Sequence, residues 1–236
     1  DRIVKDIRSK TTSLTPVIEA VCNSIDAIGP ERTDGIIDII VKRSGQKSLE
    51  LDSTHTLSDI MAIDIIDNGI GFTEENKDSF DTYRSGFKMS KGGKGFGRFM
   101  YLKYFNYVSI ESIFYEEDKY KQRSFTFGHA DEIIENEKII DIESDSSIHT
   151  GTTLHLSSIK SFDLDKGLEV IARKLVERLL VFFVTGGIYT PKITIKEEDG
   201  SNAIILNDYI GDKSDIQQIG NEEKFSLKDR EKEWNF

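Results

Sequence analysis

The sequence of 236 residues has a single cysteine, Cys22. An internal disulfide framework is therefore excluded, and a reducing compartment fits best. No apolar run reaches the roughly 18 residues that a membrane-spanning helix needs. The longest, "LLVFFVTGGIY" at 179–189, is short and is broken by Gly186 and Gly187. No signal-peptide pattern is legible, so a cytoplasmic protein with no membrane partner is expected. Positive charge is also in deficit. A formal net charge of −11 argues against sequence-independent nucleic-acid binding by the chain as a whole.

One absence is local. From Thr82 to Ile110 there is no Asp or Glu, while Arg84, Lys88, Lys91, Lys94, Arg98 and Lys103 all fall there. Glycines crowd the middle of this zone in "SKGGKGFGR", residues 90–98. Open backbone and local positive charge in an acidic protein suit an anion, because the general field would otherwise repel it. The usual phosphate loops do not fit. A Walker A loop fails because Gly93-Lys94 is followed by Gly95 and position 88 is lysine. The dinucleotide fingerprint fails because Arg98 stands where its third glycine should be.

Residues 15–29 read as a helix, with Thr15 as a cap, Pro16 in the first turn and Gly29 at the end. Strands are expected at 35–43 and 60–67, with a polar hairpin or loop between them. A helix is expected over 73–86 and another opens at 98–105. Four antiparallel strands follow, at 107–115, 120–128, 138–144 and 151–158. An amphipathic helix is expected over 163–184 and a hairpin over 192–208. This order predicts an α+β two-layer sandwich with a mixed, mostly antiparallel sheet. The four histidines, His55, His129, His149 and His155, read as structural or surface residues.

At 100° per residue, Glu19, Asn23 and Asp26 fall within about 60° of one another on the first helix, opposite Val17, Val21, Ile25 and Ile28. Most such stripes are solvated faces. A lysine-free face of carboxylate, amide and carboxylate also suits a hard cation and a water. Asn23 would offer an oxygen to Mg²⁺, and Glu19, one turn earlier, would take a proton from the water. The strand at 60–67 runs into "DNGIG", a strong turn signal. Its functional reading puts the Asp67 carboxylate at a pocket mouth, able to accept a hydrogen bond from an exocyclic amine such as that of adenine. Gly69 and Gly71 would then let a flat ligand approach the backbone.

Taken together and in order, these segments resemble the GHKL ATPase superfamily of gyrases, Hsp90 chaperones, histidine kinases, and MutL and MORC proteins. "EAVCNSIDA" is similar to its N box, "DNGIG" to its first glycine box, "GGKGFGR" to its second, and "GTTLHL" at 151–156 to a further motif. The resemblance implies a Bergerat fold that binds ATP and Mg²⁺. It implies Glu19 as general base, Asn23 as the Mg²⁺ ligand, and Asp67 on the adenine amino group, with Gly69 and Gly71 beside it. It further implies Gly93, Lys94, Gly95, Phe96 and Gly97 around the phosphates, Thr152 behind Asp67, and Asp26 as an outer or lid contact.

The wording "NSIDA" is closest to the Hsp90, MutL and MORC branch, in which ATP orders a lid, here about 74–97, and pairs two copies. The expected function is therefore Mg-dependent ATP binding and hydrolysis by a switch module of a larger protein. An ATP-dependent homodimer, a protein client or effector domain, and nucleic-acid contact through other domains are the partners it implies. Two alternatives stand beside it: a protein kinase of the histidine-kinase or anti-sigma type, and a module that senses ATP without hydrolysing it. Glu19 points to hydrolysis by water, since histidine kinases usually carry a non-acid there. The resemblance covers the ATP-binding part, 1–160. Residues 161–236 are expected to be a helix and hairpin that begin a transducer-like domain, with Lys192 and Lys196 as candidates by position alone for a lysine on the γ-phosphate, the surface-strand reading being favoured for both.

Overall fold

The computed structural model describes residues 11–45, 57–81, 97–128, 134–143, 147–161, 163–184, 190–210, 226–229 and 232–235. The elements are α1 (Thr15–Ile28), β1 (Ile36–Arg43), β2 (Ile60–Asp67), α2 (Glu74–Asp81), α3 (Gly97–Tyr104), β3 (Phe105–Glu116), β4 (Lys119–Phe127), β5 (Ile134–Ile142), β6 (Gly151–Ile159), α4 (Leu168–Val184), β7 (Lys192–Glu197) and β8 (Ile204–Ile205). A 3₁₀ turn (Leu206–Tyr209) follows, then β9 (Ser226–Asp229) and β10 (Lys232–Asn235), which pair antiparallel as a separate hairpin.

Eight strands form one sheet in the order β5-β4-β3-β6-β2-β1-β7-β8. Only β1 and β7 pair in parallel; the other neighbours are antiparallel. This is the mixed, mostly antiparallel α+β sandwich that the element order predicts. Alternate strand residues, such as Ile37, Ile39 and Val41 on β1 or Leu154 and Leu156 on β6, point into one core, as the strand period of two requires. Val17, Val21 and Ile25 of α1, Tyr101 of α3, and Ile171, Leu175 and Leu179 of α4 close that core from the helical side. The sequence-based division at residue 160 runs between β6 and α4; sheet and core continue across it. Among the described residues no helix is long and apolar enough to cross a membrane.

Local expectations change at Thr15 and at the start of α4. Thr15 is the first helical residue rather than the cap, and its hydroxyl accepts the Thr12 N–H at 3.0 Å. Gly29 does end α1, at φ +77°, with its N–H on the Ile25 carbonyl at 3.0 Å. The helix expected from 163 starts at Leu168. Asp163 instead accepts the Ser13 N–H at 3.3 Å and the hydroxyls of Ser13 and Ser161, tying the entry of α4 to the entry of α1. Of the helix expected over 73–86, Glu74–Asp81 is helical and 82–86 lies outside the described residues.

The face of the sheet away from the helices carries paired charge. Lys42 Nζ lies 2.7 Å from Asp64 Oδ2, His155 Nδ1 lies 3.0 Å from Asp64 Oδ1, and Lys196 Nζ lies 2.7 Å from Asp38 Oδ2. His155 and Lys196 therefore sit at strand positions with structural partners. His149 is exposed, and His55 and His129 lie outside the described residues.

Candidate active site

Asp67 is the last residue of β2 and is buried. Its carboxylate accepts the Ser24 hydroxyl at 2.8 Å and the Gly69 N–H at 2.9 Å, and the Thr152 N–H as well. Burial pushes its pKa up; the three donors and the nearby Arg32 charge offset part of that rise. Thr152 faces Asp67 across the β2–β6 ladder and supports it through the backbone. The Thr152 hydroxyl turns elsewhere, to Ser112 Oγ at 3.0 Å.

The turn after Asp67 is pinned on all sides. Asn68 accepts the Ile36 N–H and donates to the Asp34 carbonyl, both at 2.8 Å, while Arg32 donates to the Asn68 carbonyl. The Ile70 N–H reaches the Ala27 carbonyl of α1 at 3.1 Å. A Cβ on Gly69 would lie 2.9 Å from Ala27. Gly71 has φ +81°, and a Cβ there would lie 2.2 Å from the Ile113 carbonyl oxygen. Both glycines thus have sufficient reasons within the protein, beyond the ligand approach that the sequence suggests. Gly151 behaves in the same way, since its Cβ would lie 2.2 Å from the Asp67 carbonyl oxygen.

On α1, Glu19 and Asp26 are exposed and Asn23 is half-buried. The Asn23 amide N–H donates to the Tyr101 hydroxyl of α3 at 3.2 Å. Burial pushes the Cys22 thiol up to about 12, and the charges of Glu19 and Asp26 push it the same way. Both carboxylates thus act on one half-turn of the helix. Burial also raises the Tyr101 phenol; the Asn23 hydrogen bond offsets part of that rise, Glu19 and Cys22 add to it, and the phenol stays protonated. Ser24, directly after Asn23, carries this helix onto Asp67. The structure therefore joins Asp67, Gly69 and Thr152 directly, and brings the Asn23 turn of α1 to them through Ser24. Gly93, Lys94, Gly95 and Phe96 lie outside the described residues, and Gly97 opens α3.

Ser24, Tyr101, Ser112 and Arg123 belong to this site or its frame although the sequence motifs do not point to them, while Gly151 opens the motif at 151–156. Ser24 did leave a signal. It lies about 20° from Val17 on the helical wheel, a polar residue inside an apolar stripe. Arg123 left one too, as a charge in register with Phe125 and Phe127 on an inward face of β4. It is fully buried and donates to the carbonyls of Phe72 at 2.9 Å and Thr73 at 3.0 Å and to the Glu74 carboxylate, which fixes the chain between the turn and α2. Phe114 lies 5.1 Å from its guanidinium.

Among the described residues there is no group of three or more His, Cys, Asp or Glu placed to hold a metal ion. A cation here would need substrate oxygens and water beside any protein ligand, which is the habit of Mg²⁺. A separate cavity of about 260 Å³, lined by Asp59, Ile60, Ile159, Ser161, Leu164 and Lys166, lies by the first residue of β2, at the opposite end of that strand from Asp67. Its Lys166–Asp59 pair, at 2.8 Å, is satisfied internally.

No family model matches the chain, and no curated protein matches it. Among solved structures it is similar to the 43K ATPase domain of Thermus thermophilus gyrase B in complex with an aminocoumarin. That likeness has 14% identity and a TM-score of 0.44, over 82% of this chain and 45% of that one. The chain thus spans less than half the length of that protein. A likeness at this level leaves the function to be argued from the residues.

Proposed function

We propose that the chain is a GHKL-type module that binds ATP with Mg²⁺ and hydrolyses it, and that this cycle acts as a conformational or dimerisation switch in a larger protein. The observation that carries the reading is the Asp67 carboxylate. It is buried at the end of β2 and held by Ser24, the neighbour of Asn23 on α1. A buried acceptor with fixed orientation suits the amino group of a purine. Beside it, α1 presents an amide and a carboxylate one turn apart, which suits a hard cation and a water. The order of the four motifs supports the same reading, and the Hsp90, MutL and MORC-like branch rests on the wording of the first motif.

In this reading Asp67 and the Thr152 strand end orient the base. Asn23 supplies an oxygen to Mg²⁺, whose charge would neutralise the phosphates. Glu19, exposed on the same face, takes the proton of the attacking water. Asp26 stands one turn further along as an outer contact. Gly93, Lys94, Gly95, Phe96 and Gly97 are the phosphate-holding stretch by their sequence. Backbone N–H groups at the start of α3 and the Lys94 charge would act there.

Titration calorimetry with ATP, with and without Mg²⁺, tests the binding; phosphate release tests the chemistry. Binding that strengthens with Mg²⁺ and weakens in Asn23→Ala is expected. Glu19→Ala should keep nucleotide binding and lose roughly 100-fold or more in turnover. Turnover unchanged in Glu19→Ala would remove Glu19 as the base, and no binding at millimolar ATP would remove the reading itself.

A further inference from the structure

An asparagine side chain has a donor end and an acceptor end, and only the oxygen can ligate a hard cation. Its partners decide which end faces which way. At Asn23 the amide N–H donates to Tyr101 Oη at 3.2 Å. Tyr101 is held rigidly, at 2% exposure, with its ring edge-on to Phe127 at 5.7 Å between centroids. A phenol could also donate and thereby occupy the amide oxygen. In the structure the Nδ2 end of the amide is the one set against the phenolic oxygen, so here the phenol accepts.

We propose that Tyr101 is a positioning residue: its hydroxyl takes the donor end of the Asn23 amide and so presents the amide oxygen as the ligand for Mg²⁺. This rests on the Mg²⁺–ATP reading above and adds a residue to it. Tyr101 is the fifth residue of α3, so the same bond ties the helix that follows the glycine-rich stretch to the helix that carries Glu19 and Asn23. A tyrosine that served packing alone would need only its ring.

The test is titration calorimetry of the full chain with ATP, with and without Mg²⁺, for the wild type, Tyr101→Phe, Asn23→Asp and the double variant. Phenylalanine keeps the ring contacts. ATP affinity without Mg²⁺ should stay at the wild-type value in Tyr101→Phe, while the enhancement by Mg²⁺ falls roughly three- to tenfold, the size of one hydrogen bond. A carboxylate carries oxygen at both ends and needs no donor end held. Adding Tyr101→Phe to Asn23→Asp should therefore change the enhancement by less than about twofold. An unchanged enhancement in Tyr101→Phe overturns the proposal. So does an equal loss in the Asn23→Asp background, because the effect would then be packing. A wild type that shows no ATP binding, or none that responds to Mg²⁺, overturns the nucleotide reading and this proposal with it, and is seen before any substitution is made.

Discussion

At the scale of single residues, the two buried aspartates of β2 have opposite electrostatics although three positions separate them. Asp67 points to the helical side, where its donors are neutral, and burial leaves its pKa raised. Asp64 points to the other face. There burial also pushes up, but His155 and Lys42 hold its carboxyl below the usual range. His155 gains in turn: its hydrogen bond to Asp64 lifts its pKa above 6.5. A raised histidine binds more protons folded than unfolded, so it stabilises the fold fully below pH 6.5. That contribution is lost as pH rises through the folded pKa. His155→Gln should therefore flatten the fall in stability above about pH 6.5. The change should be below about 1 kcal/mol, because the side chain is a third exposed and solvent screens it. Urea unfolding of both proteins between pH 5.5 and 8.5 measures it, and parallel pH profiles would detach His155 from the effect. Asp64 acts in the other direction, since stability from its lowered pKa is lost as pH falls below about 3.8.

At the scale of elements, what was legible in the sequence was what local pattern specifies. The α1 stripe of Val17, Val21, Ile25 and Ile28 fixed a helix and its buried side, and alternation fixed the strands. Asp67, Gly69 and Asn23 were legible because a turn signal and a helical face put them there. The parallel pairing of β1 with β7 was not legible, because it joins Ile37 to Ile193 and no local period encodes a partner that distant. The same holds for Tyr101, whose partner Asn23 lies 78 positions away, and for Asp163, which looked like a helical residue but is used by Ser13. Glycine roles were half legible. The turn type shows that Gly71 is needed, but only the fold shows the Ile113 carbonyl against it. Gly71→Ala should cost about 2–4 kcal/mol, combining left-handed backbone with overpacking. Gly29→Ala is the control. It has a similar φ of +77°, with ψ 162° and nothing within 4 Å, so it should cost about 1–3 kcal/mol from the backbone alone. Equal losses in urea unfolding would mean that β3 yields at Ile113.

At the scale of the whole molecule, the helical layer and sheet bind the two sequence-based parts into one core. Ile171, Leu175 and Leu179 of α4 and Ile193 and Ile195 of β7 are each at 1% exposure or less. They lie against β1 and α1, the elements that frame the candidate site. Removing them would uncover the matching faces of Ile37, Ile39 and Val41 and leave the β1 edge without its parallel partner. Fully burying one such side chain contributes about 1.5–3 kcal/mol. Losing five approaches the total stability of an ordinary domain, about 5–15 kcal/mol. The chain also repels itself at a net charge of −11, which works against the compact state. A chain ending at residue 160 should therefore lack a cooperative unfolding transition, while one ending at 210 keeps it. Near-UV circular dichroism with urea unfolding separates the outcomes. A cooperative transition in the shorter chain would mean that α4 and β7 cover a core already closed without them, and that the candidate site does not depend on them.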